Sequence, residues 1–228
     1  MSAKHQRLEQ NEISERAARL YKLLEASEWI VEDSGEEPTT DYSFIYVKDI
    51  NSLYMPDEYK DLVREGNAKI AYQNLYIEIF KQFFNLSNKV LLDEGYAQKT
   101  RDTEIEYMLI LLKSGKYAIF EGDIDKVSIP LPPGIGLAHT HPHVCLFSYK
   151  DIETTSYLFE KGYITSSVIT TECTAHLSRL GPYTIDDLKA LKDLHKRLEK
   201  AKTLDEVVKV YNDFKSNSVK LFLSLNQP

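Results

Sequence analysis

The stretch Gly136-Leu137-Ala138-His139-Thr140-His141-Pro142, followed by Ser148-Tyr149-Lys150-Asp151, decides how the chain is read. An apolar run delivers two histidines, a proline ends it, and Ser-x-x-Asp opens the next element. In a strand alternate side chains point the same way, so His139 and His141 share a face and reach one metal ion together. Asp151 follows His141 by ten residues, and a turn between strand and helix returns its carboxylate to the imidazoles. Three protein ligands of this type leave a fourth position open for water, the arrangement of catalytic rather than structural zinc. His143, next to Pro142, is read as flanking this set, and Cys145 as a small core residue.

The surroundings read outward from that stretch. On the C-terminal side, residues 148–161 have helical spacing and Gly162 stops them. Residues 163–173 are rich in β-branched side chains and predict a strand. Two helices follow. Thr184 caps the first, with Leu188, Leu191, Leu194 and Leu198 as its stripe, and Thr203-Leu204-Asp205-Glu206 starts the second as a capping box. On the N-terminal side, 104–112 and 116–123 predict a hairpin about the Ser-Gly turn at 114–115. Residues 126–143 are strand-like, and Pro130, Pro132 and Pro133 suit an edge or loop.

The first hundred residues differ in character. Residues 4–32 predict a helix, 33–41 break it, and 42–47 form a short strand. A helix is expected over 57–65 and another over 68–84. The latter carries a broad aromatic face that is either core or a partner-binding groove. The division expected is a mostly helical region over 1–99 and a second unit over 100–228.

Composition narrows the function classes. The net charge is −7, and Lys and Arg are scattered among acids without a basic stripe, so nucleic acid is not an expected partner. No apolar run approaches 18 residues and the N-terminus lacks an apolar signal core, so no membrane association and a cytoplasmic location are expected. Cys145 and Cys173 are too few for a disulfide framework and lack CxxC spacing, which predicts free thiols in a reduced compartment. Fifteen tyrosines and a Lys/Glu-rich composition point toward heat adaptation.

The quoted string resembles the JAMM family of zinc metallopeptidases, also called MPN-plus or prokaryotic JAB, over roughly residues 100–180. The family signature is a Glu, then H-[S/T]-H-P, then S-x-x-D. The resemblance implies an α/β fold, a cytidine-deaminase-like curved mixed β-sheet flanked by helices, here with a mostly helical N-terminal extension. It implies Zn2+ held by His139, His141 and Asp151, with Ser148 stabilising the oxyanion. It also implies a catalytic glutamate at the start of an apolar strand. Glu106 is preferred for it because the apolar run begins directly afterwards, and Glu104 is the runner-up. The implied activity is hydrolysis of an amide or isopeptide bond in a protein or peptide, including removal of a ubiquitin-like modifier. The interval from His141 to Ser148 holds six residues, one fewer than the usual pattern, and little room lies between Glu106 and His139 for the family's intervening helix.

Rival readings have less sequence behind them. A cupin-like site needs a Glu within about five residues of the second histidine, and 142–146 contain none. HxHxH phosphoesterases need further downstream ligands, and only His176 and His195 remain. The alternative outside catalysis is a scaffold of the same fold that docks a partner through its helices.

Overall fold

A computed structural model describes residues 6–122 and 131–226. The chain begins with strand β1 (Gln6–Gln10) and helix α1 (Glu12–Ser34), then β2 (Thr39–Thr40), β3 (Ile45–Val47), α2 (Asp57–Lys60), β4 (Val63–Glu65) and β5 (Ile70–Ala71). Helix α3 (Asn74–Ser87) runs through a π-helical turn (Asn88–Asp93) toward α4 (Tyr96–Thr103). Next come β6 (Tyr107–Leu112), β7 (Lys116–Glu121), β8 (Gly134–Thr140), α5 (Tyr149–Glu160), β9 (Thr165–Ile169) and β10 (Cys173–Arg179). The last elements are α6 (Ile185–Lys200), α7 (Leu204–Asn212) and β11 (Val219–Leu225).

The protein is mixed α/β. A seven-stranded sheet has the order β1-β7-β6-β8-β9-β10-β11, and a small four-stranded sheet the order β4-β3-β2-β5. In the large sheet β8 and β9 are parallel, with α5 as their crossover, and all other neighbours are antiparallel. That mixed pattern follows from the connections: a three-residue turn joins β6 to β7, whereas parallel strands need a long crossover, here one that contains α5.

Every residue of β8 is buried, which explains its run of small and apolar side chains. Leu137 packs with Ile152, Leu158 and Phe159 of α5 and with the Leu stripe of α6. Ala138, on the opposite face, belongs to the cluster built by α1 and α3. Gly136 is dictated by that packing, since a Cβ there would lie 2.6 Å from the Phe83 ring. Helices therefore cover both faces of the sheet, and the aromatic stretch of α3 is core: Tyr76 and Phe83 are fully buried, and Phe80 stacks on Phe222 of β11.

Several expected elements are corrected. The helix expected over 4–32 starts only after Asn11, which caps α1 through Ser14, while 6–10 pair with β7 as an edge strand. The helices expected over 57–65 and 68–84 begin or end in the short strands β4 and β5. Residues 126–130 of the strand-like run lie outside the described residues. The remainder places Pro132 and Pro133 in the loop just before a central strand, the loop alternative rather than the edge. Strands β10 and β11 were not expected. The first 99 residues contribute β1 to the large sheet and pack α1 and α3 against it. Among the described residues no helix lies between Glu106 and His139. No helix is long and apolar enough to cross a membrane among the described residues.

Candidate metal centre

His139 is the penultimate residue of β8 and is 3% exposed. His141 lies just past the strand end but keeps its pairing, its N–H donating to the Ile169 carbonyl at 3.0 Å. Alternation then brings the two imidazoles together, with His139 Nε2 and His141 Nε2 3.0 Å apart. Asp151 arrives from the first turn of α5. Its Oδ1 is 3.3 Å from His139 Nε2 and its Oδ2 3.6 Å from His141 Nε2. These three residues form a group whose ligand atoms all lie within 4.8 Å of one another, and it could hold a metal ion.

The spacing suits a small tetrahedral ion. Bonds of about 2.0–2.1 Å at tetrahedral angles place ligand atoms roughly 3.3–3.4 Å apart; the imidazole nitrogens stand 3.0 Å apart, and the Asp151 carboxylate comes within 3.3 Å of one and 3.6 Å of the other, each by a different oxygen. Two imidazole nitrogens at 3.0 Å also need a cation or a proton between them, because facing lone pairs repel.

The partners around the ligands fix their orientation. His141 Nδ1 is 3.1 Å from the Val144 carbonyl, which can only accept, so Nδ1 carries the proton and Nε2 presents its lone pair. Ser148 and Asp151 form a capping box: the Ser148 N–H donates to Asp151 Oδ2 at 2.6 Å, and the Asp151 N–H donates to Ser148 Oγ at 3.3 Å. One carboxylate thus caps the helix and faces the histidines, and the helix N-terminus favours its charge. Burial opposes the charged form of Asp151, yet His139, His141 and the Ser148 bond outweigh it and hold the carboxyl well below its usual range. Burial also works against the His139 cation, but Asp151 wins and raises its pKa. Burial and then the neighbouring His139 charge push His141 down to about 4.

Neither Glu104 nor Glu106 lies within a strand. Glu104 closes α4 in the left-handed conformation at φ 59°, and β6 starts only at Tyr107. Glu106 Oε1 stands 3.9 Å from His141 Nε2, at the edge of the ligand group. Two buried threonines anchor its segment. Thr100 Oγ1 donates to the Ile105 carbonyl at 2.8 Å, so the 2.6 Å contact between Thr100 and Thr140 has Thr140 as donor. Thr140 Oγ1 in turn accepts the Tyr107 N–H at 2.9 Å. The bonds flank Glu106 on both sides. Thr100 carries no sequence signal for this role, because it acts across a helix end forty residues from Thr140.

The loop from 142 to 147 is tied down twice. Tyr211 of α7 donates its hydroxyl to the Phe147 carbonyl. Cys145 and Cys173 are joined as a disulfide with Cα atoms 5.7 Å apart, which corrects the expectation of free thiols. The loop turns back after Pro142 and carries Cys145 to the first residue of β10, a proximity that their separation of 28 residues does not signal. His143 is exposed and outside the ligand group, as expected of a flanking residue. Neither a family model, nor a curated protein, nor a solved structure matches the chain.

Proposed function

We propose that the protein is a zinc-dependent amide hydrolase of the JAMM type, with His139, His141 and Asp151 as ligands, Glu106 as general base and Ser148 as oxyanion donor. The observation that carries this reading is the convergence of two imidazole nitrogens and a carboxylate whose ligand atoms lie within 4.8 Å of one another, with a second carboxylate 3.9 Å from one of the nitrogens. Further support comes from the order of parts: central strand, HTHP, loop, then a helix whose cap is Ser148-x-x-Asp151. A mixed sheet with helices on both faces is compatible with a JAB/MPN arrangement. The aromatic face that favoured a scaffold packs largely into the core, with Tyr76 and Phe83 fully buried and Phe80 stacked on Phe222.

A bound zinc ion supplies Lewis acidity and brings the pKa of water down to about 7. The chain's own groups do the rest. Glu106 takes a proton from the attacking water and delivers it to the leaving nitrogen. Ser148 Oγ accepts the Asp151 N–H, which leaves its own proton to donate to the developing oxyanion. Asp151 stays ionised beside both histidines, and the Val144 carbonyl keeps His141 in the ligating tautomer. The proposed substrate is an amide or isopeptide bond in a protein or peptide, a ubiquitin-like modifier being the first class to test. The test is hydrolysis of a panel of ubiquitin-like fusions by zinc-loaded protein. Activity that the His139→Ala/His141→Ala variant lacks supports the reading, and equal activity in that variant overturns it.

A further inference from the structure

The two outer edges of the seven-stranded sheet are built differently. β1 forms one edge and β11 the other. An unpaired edge invites another strand, and charged side chains or proline are the common protection against it. β1 has that protection, with Arg7 and Glu9 between Gln6 and Gln10. β11 lacks it, because Leu221-Phe222-Leu223-Ser224-Leu225 contains neither a charge nor a proline. Leu223 is 59% exposed and Leu225 84%.

The register fixes what this edge offers. The Asn226 N–H donates to the Glu172 carbonyl at 2.8 Å, so by antiparallel alternation Ser224, Phe222 and Lys220 also turn their backbone groups toward β10. Leu221, Leu223 and Leu225 turn theirs outward, where no strand pairs with them among the described residues. The Val219 N–H already donates to Ser216 Oγ at 3.3 Å, which ends the free edge on that side. Val219 and Leu221 face the cluster beneath α5 and α6, and Phe222 stacks on Phe80 on the opposite face. Beside Leu221 and Leu223 lies a cleft of about 660 Å3, whose apolar lining includes Tyr211, Phe214 and Val219.

We propose that β11 pairs antiparallel with β11 of a second copy of this chain, about a two-fold axis at Leu223. A second copy is the occupant because the edge is complementary to itself. With the axis at Leu223, every outward N–H of Leu221, Leu223 and Leu225 meets an outward carbonyl of the other strand. Leucine then lies opposite leucine throughout one face, and the partner's Leu225 comes beside Leu221 and the cleft of Tyr211 and Phe214. On the other face Phe222 meets the partner's Ser224, and Lys220 meets the partner's Asn226. The one charge of the strand is thus kept from its own copy, where like charges directly opposite would be destabilising. Lys220 instead stands two strand spacings, roughly 10 Å between backbones, from the partner's Glu172, a half-exposed charge of opposite sign. An axis at Phe222 would need the Val219 N–H, which is already taken. The proposal is independent of the metal centre and of the reading given to it.

One edge strand per copy makes a small interface, below about 1,200 Å2, so the dimer belongs to the weak class. The experiment is sedimentation equilibrium of the full chain from ~5 to ~500 µM, the range in which such interfaces assemble. A monomer–dimer equilibrium is expected. Leu223→Lys, at an exposed position, sets two like charges opposite one another at the axis and should weaken dimerisation ~10-fold or more. Leu8→Lys, at a position 55% exposed on the other edge, should leave it unchanged. Leu223→Cys reads the register directly, and it is mild enough to keep the fold. Hydrogen-bonded antiparallel pairs stand about 5.5 Å apart between Cα atoms, within disulfide reach, so mild oxidation should cross-link two copies of this variant. Leu221→Cys should not cross-link, being displaced from its own copy by about 13 Å along the strand. The native cysteines are already bridged and do not compete. A chain that stays monomeric at ~500 µM overturns the proposal, including the case in which the edge takes up only an unrelated peptide strand. It is equally overturned if Leu223→Lys dimerises undiminished, or if Leu221→Cys cross-links as readily as Leu223→Cys.

Discussion

Removing the Cys145–Cys173 bridge should destabilise the protein by an amount that follows from where it closes the chain. The residues are 28 apart in sequence. The chain-entropy relation for a loop of that length gives about 3.6 kcal/mol at 25 °C, lost from the native state when the unfolded chain is released. For a chain of this size each kcal/mol shifts the melting temperature by roughly 2–4 °C, so the drop should be about 7–14 °C. The assay is a pair of thermal melts, one on the native protein and one on Cys145→Ser/Cys173→Ser. A thiol count on denatured, unreduced protein accompanies them. That count should be zero, and reducing agent should lower the native melting temperature toward that of the double variant. Two reactive thiols in the unreduced protein would refute the bridge. A double variant melting within about 2 °C of the native protein would refute the entropic reasoning.

Glu106→Gln should keep zinc and lose hydrolysis of any verified substrate by ~10²-fold or more, because a general base moves protons without holding the metal. Glu104→Gln should do much less, since Glu104 caps α4 while Glu106 is the one beside His141. Loss of activity in Glu104→Gln alone would reverse the assignment. His176 gives a pH prediction. It is 1% exposed, its Nε2 has no partner, and it is flanked by the Phe80 and Phe84 rings, so burial pushes its pKa down to about 3. An unfolded His takes up a proton near 6.5 that the folded one refuses, so this contribution is complete above that pH and is lost as the pH falls toward 3. At pH 4.5 the loss is on the order of 3 kcal/mol, from two units at 1.36 kcal/mol each. Chemical denaturation at pH 7 and pH 4.5 should show His176→Phe falling less than the native protein by about that much, and equal falls would remove His176 as the cause.

The parts of the fold legible in the sequence are those whose signal is local. Ser148, Thr184 and Thr203 each announce a helix start, and each caps one through its own side chain. His139-Thr140-His141-Pro142 reads as a strand end because alternation and a stopping proline need no tertiary context. Strand β1 was illegible because Gln6-Arg7-Leu8-Glu9-Gln10 is a polar edge strand whose Leu8 falls into the helical spacing of α1. Strand β11 did carry a signal, with Val219, Leu221, Leu223 and Leu225 at alternate positions, and attention to that period would have found it. The site was legible in its ligands and less so in its supports. The left-handed turn at Glu104, the Thr100–Thr140 contact and the Cys145–Cys173 pairing all arise from tertiary packing. No spacing rule connects residues 28 or 40 apart in sequence.

The most direct measurement is the zinc content of the purified chain by elemental analysis, before and after loading and dialysis, with His139→Ala/His141→Ala in parallel. Two imidazoles and a carboxylate gathered in this way should retain about one zinc per chain in the native protein. Removal of both imidazoles leaves one carboxylate, which should retain none. X-ray absorption at the zinc edge should show two nitrogen ligands near 2.0 Å in the native protein. Full zinc retention in the double variant, or no zinc in the loaded native protein, would contradict the metal centre and the hydrolase built upon it.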